Sequence, residues 1–294
     1  MDAGNPFAAA RFWVDSHSDA ALTAAQWQAS GRTADAAQMR KVSGQPWAIW
    51  LNAGWTMSGL SARIAQIRAA GALPVFVVYN IPWRDCGRYS SGGAASPDAY
   101  RAWVAQVAAR LAGGRAAVVI EPDALAEITC LSADRQAAYY DMLRYDVATF
   151  GALPGVATYL DAGHERWQPA ATMAGRLQKA GAAGARGFAL NISNFNATPG
   201  EIAYGRAISS QIGGKRFVID TSRNGLGPAG GSNWWCNPPG RALGAPPTAH
   251  TGDPLVDAFF WFKVPGESDG SCNGGPASGR WWPEYALGLA QRSP

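Results

Sequence analysis

Five aspartates, each placed just after a different short apolar segment, are the residues in this sequence best suited to acid–base chemistry. They are Asp85, Asp123, Asp161, Asp220 and Asp269. Carboxylates crowded into one cleft push their pKa values apart, so that one stays protonated near neutral pH while others remain ionised. Cleavage of a glycosidic bond needs both a protonated and an ionised carboxyl group. A single aspartate at a strand end is more commonly a helix cap or a loop hydrogen bonder, so the prediction depends on the five converging.

The supply of tryptophan points to the same chemistry. The chain has 13 Trp against 9 Tyr and 10 Phe, which is more indole than a core of this size needs. Indole rings stack on the flat C–H faces of pyranose sugars, whereas Asp, Asn, His and Lys side chains bind the hydroxyl groups. Trp103 falls within an amphipathic segment and is predicted to be a core residue. Seven others lie near the ends of apolar segments or in the loops that follow: Trp47, Trp50, Trp55, Trp83, Trp167, Trp234 and Trp235.

Seven apolar segments alternate with amphipathic ones, a pattern that predicts a parallel sheet with helical crossovers. The predicted strands are 47–51, 74–79, 116–121, 156–160, 187–191, 217–220 and 258–262. The predicted helices between them are 60–70, 97–111, 133–150, 169–180 and 199–212, and the stretch 221–257 has no helical periodicity. A chain of 294 residues with 48% hydrophobic content fits one α/β barrel, with its active site at the carboxyl ends of the strands.

Two motif matches suggest other functions and are rejected. Gly225–Gly230 satisfies GxGxxG, but Pro228 and the Trp- and Pro-rich stretch after it prevent the helix that a dinucleotide site requires. Gly266–Gly270 satisfies GxSxG, the nucleophile elbow of an esterase, with Ser268 as the nucleophile. In that fold the histidine follows the serine, whereas His250 precedes it, and no helix is predicted after Gly270.

Charge and cysteine usage narrow the class of protein. The net charge of +4 comes from scattered basic residues, so neither a nucleic-acid partner nor a membrane is expected. Met1–Gly4 does not begin a signal peptide. The histidines are isolated and no CxxC pair occurs, so we expect no metal and no cofactor. Four widely spaced cysteines fit two disulfides, in any of three pairings, and an oxidising compartment; four buried thiols are the alternative: Cys86, Cys130, Cys236 and Cys272.

Six spaced motifs resemble glycoside hydrolase family 6, the cellulases. They are residues 78–87 (VYNIPWRDCG), 119–125 (VIEPDAL), 160–164 (LDAGH), 219–225 (IDTSRNG), 235–236 (WC) and 261–270 (WFKVPGESDG). They occur in collinear order, and the likeness extends from about Trp47 to the C-terminus. The resemblance implies a distorted seven-stranded parallel β/α barrel of the TIM-like kind, which agrees with the seven predicted strands. A single domain over residues 1–294 is expected.

The resemblance also implies roles for particular residues in hydrolysing β-1,4-glucan with inversion. Asp123 matches the general acid, Asp85 the residue that raises its pKa and relays a proton, and Asp269 the position proposed for the base. Tyr79 matches a residue that crowds the distorted sugar ring, and Ser91 one that helps to place water. The implied disulfides join Cys86 to Cys130 and Cys236 to Cys272. Other positions match substrate contacts: Trp47, Asp161, His164, Trp167, Asn194, Trp235, Lys263 and Glu267.

The sequence therefore predicts a secreted, monomeric endo-β-1,4-glucanase whose partners are cellulose and cello-oligosaccharides. The compact stretch between Trp235 and Asp269 favours an open cleft and internal cleavage. An exo-acting cellobiohydrolase of the same family is the first alternative. A non-catalytic glucan-binding protein that kept the barrel is the second, and the presence of Asp85, Asp123 and Asp269 argues against it because pure binding needs no acid.

Overall fold

Seven parallel strands in chain order form the central sheet of the computed structural model, which describes residues 4–293. Each strand of this sheet pairs with the strand of the same sheet that comes next along the chain, in the order β2-β4-β5-β6-β7-β8-β9. β1 pairs with β3 in a separate two-stranded sheet. The strands are β1 (Arg11–Phe12), β2 (Ile49–Leu51), β3 (Ala72–Leu73), β4 (Val75–Val78), β5 (Ala116–Ile120), β6 (Val156–Asp161), β7 (Gly187–Leu190), β8 (Arg216–Asp220) and β9 (Val256–Phe260).

The sheet curls into a barrel whose first and last strands, β2 and β9, do not form a ladder. Instead the Ala48 amide donates a hydrogen bond to the Trp261 carbonyl (2.9 Å), and the Trp50 indole nitrogen donates to the Phe262 carbonyl (2.8 Å). We call this junction the seam. The predicted seven-stranded parallel α/β fold is confirmed, with the barrel incompletely closed at the seam.

Side-chain alternation along the strands sorts the core into two layers. Val75 and Val77 of β4 face the barrel interior, where they pack with Val119 and Phe260, whereas Phe76 of the same strand faces the helices. Because successive residues of a strand point to opposite faces, a strand that is apolar throughout buries both. This explains why the strands read as continuous apolar runs in the sequence.

Helices cover the outside of the barrel over residues 4–293. Their bounds are α1 (Asp19–Ala29), α2 (Thr33–Ser43), α3 (Met57–Ala69), α4 (Pro97–Leu111), α5 (Ala133–Gly151), α6 (Ala170–Lys179), α7 (Thr198–Ser209) and α8 (Pro283–Gln291). The start of α4 shows how the sequence specifies such a boundary: the Ser96 hydroxyl accepts a hydrogen bond from the Ala99 amide (3.1 Å), and Pro97 occupies the first turn. None of the helices in the described part of the chain is long and apolar enough to cross a membrane.

The expectation that no helix follows Gly270 is wrong, because α8 does. It is short, and its buried Tyr285, Leu287 and Leu289 pack beside α1 and α2 rather than against the sheet. The sequence reading also missed α1 and α2. The buried face of α1 holds Ala20 and Ala24, with Trp27 as its one large apolar residue, and α2 buries Met39 and Val42, so each helix has only one or two of the spaced large apolar residues that mark an amphipathic helix.

Both disulfides have the pairing that the family resemblance implied. Cys86 is bonded to Cys130, and Cys236 to Cys272. The first joins the loop after β4 to the segment after β5, and the second ties the long loop after β8 to the loop after β9. The alternative of four buried thiols is excluded in this structure.

Candidate active site

A cleft of about 840 Å³ lies at the carboxyl ends of the strands. Its walls come from residues that follow the central strands, as expected for a parallel barrel. Twelve of the thirteen site residues predicted from the sequence line it. They are Trp47, Tyr79, Asp85, Ser91, Asp123, His164, Trp167, Asn194, Trp235, Lys263, Glu267 and Asp269.

Asp123 occupies the centre of this arrangement, three residues after the end of β5. Its backbone is in the left-handed region (φ 72°), as is that of Glu121 (φ 46°), so the chain turns sharply on leaving the strand. Burial raises the pKa of Asp123 well above its usual range, and the carboxylates of Asp161, Glu127 and Asp85 raise it further. A carboxyl group in this setting holds a proton near neutral pH and can donate it.

Two of the five aspartates lie beneath the cleft instead of lining it. Asp161 is the last residue of β6 and is 2% exposed, and its Oδ2 accepts hydrogen bonds from the Asp123 and Gly163 amides (both 3.0 Å). Asp220 ends β8 fully buried, where it accepts from the amides of Ser193 and Lys263 (3.0 and 2.9 Å). Both residues are the last of their strands, and their carboxylates bind backbone amides of the loops that carry cleft residues. They therefore fix the positions of these loops. The predicted direct contact of Asp161 with substrate does not fit this position.

Asp85 lies on a short 3₁₀ turn stabilised by local donors. The Ser90 amide donates to its Oδ2 (2.6 Å), and the Arg88 guanidinium is 3.6 Å from its Oδ1. Arg88 also pairs with Glu127. Burial raises the pKa of Glu127 to about 7. Arg88 therefore bridges two carboxylates that both act on Asp123. The sequence reading missed Arg88 and Glu127, although Glu127 follows Asp123 by four residues in the same loop.

Asp269 lies in the loop after β9, with cations on both of its oxygens. Arg223 donates to Oδ2 (2.8 Å) and Lys263 lies 3.8 Å from Oδ1. The Asn237 amide also donates to Oδ2 (3.0 Å), and the Asn237 side chain accepts from the Asp269 amide (2.8 Å). The Arg223 side chain is fully buried, so its charge is compensated chiefly by Asp269. This carboxylate is thereby fixed in position at the cleft, 7% exposed.

Indole and imidazole rings line the walls of the cleft. Trp50 contacts Tyr79 edge to face (5.0 Å between ring centres), and His164 packs between Trp167 (5.3 Å) and Trp234 (5.4 Å). Burial and the nearby Arg166 lower the pKa of His164 to about 4, so its ring is neutral. Because Nδ1 accepts from the Arg166 amide (3.2 Å), Nε2 carries the hydrogen and can donate it to a hydroxyl group.

The tryptophan predictions need one addition and one correction. Trp13 also lines the cleft and was missed, because the strand-end rule did not extend to the N-terminal segment. Trp83 points away from the cleft and stacks on Tyr139 (6.2 Å) under the Arg135 guanidinium (4.8 Å). Its positive φ (59°) turns the side chain toward α5. Trp103 packs against the core, as predicted.

The structure gives no support to the rejected motifs. Ser268 is fully buried, and its hydroxyl is within hydrogen-bond distance of the Pro276 and Gly270 carbonyls (2.8 and 3.0 Å), so it is not available as a nucleophile. No helix begins at Gly225–Gly230. Over residues 4–293, no group of three or more His, Cys, Asp or Glu side chains is placed to hold a metal ion.

We expect substitution of Arg88 by methionine to move the alkaline limb of the pH profile of kcat/KM to higher pH. This limb reports the general acid of a free enzyme, which must be protonated; with Asp123 in that role, activity falls as the pH rises through the pKa of Asp123. Arg88 lowers that pKa, and removing the cation raises it. Arg88→Lys keeps the charge and is the matched control. A limb that stays in place or moves to lower pH in Arg88→Met would contradict the assignment.

Comparisons with known proteins agree with the cleft chemistry. The sequence model for "Glycosyl hydrolases family 6" matches residues 7–293. The protein named endoglucanase A from Cellulomonas fimi is 44% identical over 271 residues, which cover 91% of this chain and 58% of that protein. The chain spans about half to two thirds of the length of the curated relatives that it matches.

Two solved structures share the fold over nearly the whole chain. An endoglucanase from Mycobacterium tuberculosis, in complex with methyl cellobiosyl-4-deoxy-4-thio-β-D-cellobioside, has a TM-score of 0.91 at 45% identity and is matched over 98% of this chain and 99% of that chain. The catalytic core domain of a cellobiohydrolase from Chaetomium thermophilum has a TM-score of 0.84 at 30% identity, with 99% of each chain covered.

Proposed function

Since the chain belongs to glycosyl hydrolase family 6, we propose that it is an inverting endo-β-1,4-glucanase acting on cellulose and related β-glucans. The observation that carries this proposal is the convergence of three aspartates in one indole-lined cleft: Asp123, which holds a proton, with Asp85 and Asp269. Acid and base carboxyl groups on opposite sides of a sugar ring are what inversion requires.

In the proposed reaction Asp123 donates its proton to the glycosidic oxygen as the C1–O bond breaks. A water molecule attacks C1 from the opposite face and loses its proton toward Asp269, directly or through a second water. Asp85 raises the pKa of Asp123 and returns a proton to it from solvent. Arg223 and Asn237 fix the Asp269 carboxylate, and Ser91, on the Asp85 loop, helps to place the water.

Substrate binding is assigned to the aromatic and polar walls of the cleft. Tyr79, backed by Trp50, is placed to press on the ring whose bond is cleaved. The other contacts divide into indoles that stack on sugar faces and polar groups that bind hydroxyls: Trp13, Trp47, Trp167, Trp234 and Trp235, with His164, Asn194, Lys263 and Glu267. Asp161 acts here as a positioning residue for Asp123.

Internal cleavage is supported by the relatives. Among the curated relatives compared by sequence, those named endoglucanase are 42–46% identical, whereas those named cellobiohydrolase are 37% identical over a smaller share of the chain. One contact favours the exo-acting alternative: the Ser90 hydroxyl lies 2.8 Å from that of Ser278, so the loop after Asp85 touches the loop after Asp269 across the cleft.

Two measurements on one digest test the proposal. Proton NMR of early products should show the α-anomer first, because inversion at a β-linkage gives α; the β-anomer first would contradict inversion. On carboxymethylcellulose, viscosity should fall steeply while few reducing ends appear. A slow fall in viscosity, with cellobiose as the sole early product, would establish the exo-acting alternative.

We also propose that the protein is secreted and acts as a monomer without a cofactor. The two disulfides support an oxidising compartment, because such bonds persist outside the reducing cytosol. All groups in the proposed reaction come from one chain.

A further inference from the structure

A buried acid cluster outside the cleft joins three elements of the fold. Glu121 follows β5, Tyr100 lies on α4 and Asp146 on α5, and all three side chains are 0–1% exposed. The Tyr100 hydroxyl is 2.9 Å from Glu121 Oε1 and 2.6 Å from Asp146 Oδ2. None of the three side chains lines the cleft.

Counting hydrogens shows that the cluster holds an extra proton. A tyrosine hydroxyl carries one hydrogen, so it donates to one of the two carboxyl oxygens and accepts from the other. An ionised carboxylate accepts only, so Glu121 and Asp146 cannot both be ionised while both contacts exist. One of the two is a carboxylic acid that donates to Tyr100.

The surroundings decide which of the two carries the proton. The Asn80 amide donates to both Glu121 oxygens (2.8 and 3.1 Å), and the Ile81 amide also stabilises the ionised form. Asp146 Oδ1, by contrast, has no hydrogen-bond partner among the described residues, which is far less unfavourable for a neutral acid than for a buried carboxylate. Burial raises the pKa of Glu121 to about 7 and that of Asp146 well above its usual range.

We propose that Asp146 is a positioning residue that remains protonated and donates to Tyr100, which in turn donates to an ionised Glu121. The Glu121 carboxylate then fixes the Asn80 amide, one residue after Tyr79 and five before Asp85. Glu121 itself precedes Asp123 by two residues. The cluster therefore sets the relative positions of the loops that carry Asp85 and Asp123. This positioning effect rests on the proposed hydrolase function, whereas the protonation of Asp146 does not.

Few other charged or titratable groups face the cluster. Arg84, from the loop after β4, and Tyr139, from α5, interact with Glu121, and Arg101, from α4, interacts with Asp146. Arg84 and Arg101 favour ionisation of Glu121 and Asp146 respectively. The Arg101 guanidinium is paired with Asp98 (3.1 Å) and, among the described residues, forms no hydrogen bond to Asp146.

Infrared difference spectroscopy at pH 8 tests the protonation without using activity. This pH lies above the pKa of Glu121, which is about 7, so the proposal requires Glu121 to be ionised there and Asp146 to be protonated. We expect the wild-type spectrum to contain the carbonyl stretch of a buried carboxylic acid that is absent from Asp146→Asn. A band that persists in Asp146→Asn but disappears in Glu121→Gln would place the proton on Glu121 and overturn the proposal.

The pH dependence of unfolding gives a second, independent test. An acid whose pKa is higher in the folded protein than in the unfolded chain adds to the free energy of unfolding. This contribution is complete below the unfolded-state pKa and is lost as the pH rises toward the folded-state pKa. Wild type therefore releases one more proton on unfolding than Asp146→Asn. The unfolding constant of wild type divided by that of Asp146→Asn should rise about tenfold per pH unit from about pH 5 up to the folded-state pKa of Asp146. A ratio independent of pH would show that Asp146 is ionised in the folded protein.

The positioning effect is tested by rescue. Asp146→Ala should lower kcat on carboxymethylcellulose about tenfold with little change in KM, as misplaced catalytic groups do. Asp146→Asn, whose amide can donate to Tyr100, should recover most of that loss, and Tyr100→Phe should resemble Asp146→Ala. A wild-type kcat in all three variants would contradict the positioning effect but would not affect the infrared result. Loss of kcat in Asp146→Asn as large as in Asp146→Ala would also contradict it.

Discussion

Substitution of Asp123 by asparagine is expected to lower kcat on cellulosic substrates by about 10²–10⁴-fold, the usual contribution of a general acid. Asparagine preserves the size of the side chain but has no proton to transfer to the glycosidic oxygen. Cello-oligosaccharide binding, measured by calorimetry, should change little because the indole walls are untouched. Full activity in Asp123→Asn would exclude Asp123 as the acid.

A change of leaving group separates this role from general damage to the site. A cellobioside with a dinitrophenolate leaving group needs little protonation, so Asp123→Asn should retain much more of its activity on it than on cellulose. Asp98→Asn, in an aspartate whose side chain is 96% exposed on α4, is the matched control and should behave as wild type. Binding without any turnover in wild type would instead support the non-catalytic glucan-binding alternative.

Substitution of Arg223 by methionine is expected to destabilise the fold by about 3–5 kcal/mol, since it removes the closer of two cations from the buried Asp269 carboxylate and leaves only Lys263, 3.8 Å away. Arg223 is fully buried and contacts Asp269 (2.8 Å), and its side chain packs over the Phe195 ring (4.2 Å). Asp269 should also lose its fixed orientation, so activity should fall in the protein that remains folded. Denaturant unfolding and kcat on carboxymethylcellulose measure the two effects.

A double-mutant cycle identifies the ion pair as the cause. If Arg223→Met loses stability because the charge of Asp269 is no longer compensated by Arg223, the double variant Arg223→Met/Asp269→Asn should be more stable than Arg223→Met alone. Arg110→Met, in an exposed arginine of α4, controls for the substitution itself. A double variant less stable than Arg223→Met would assign the effect to lost packing.

The sheet was predictable because its strands are buried on both faces. Residues 116–120 illustrate this: five consecutive small or β-branched apolar residues are all buried, and the run ends where the acidic loop begins. The strand-end rule then placed Asp85, Asp123 and Asp269 at one edge of the sheet. The disulfide pairing followed from the family resemblance, since spacing alone left three possibilities.

What the sequence could not supply were contacts between distant segments. Arg223 and Asp269 are 46 residues apart, and Arg88 and Glu127 are 39 apart, so only the folded chain shows that they pair. The position of Asp161 beneath the cleft could not be predicted for a related reason. Its place at the end of β6 predicted the edge of the sheet correctly, but whether the last residue of a strand points into the cleft or beneath it depends on where the strand stops.

The seam between β2 and β9 has a consequence for how the molecule is made. Within the central sheet every strand pairs with the strand of that sheet that comes next along the chain, so the sheet can grow in the order of synthesis by local additions, which fold quickly relative to distant pairings. The seam alone unites the two ends of the central sheet, with Trp50 and Phe262 lying 212 residues apart. Trp47 and Lys263, beside it, belong to the cleft. We therefore expect nascent chains that end before β9 to form most of the sheet but to have no affinity for glucan, because the cleft is completed last.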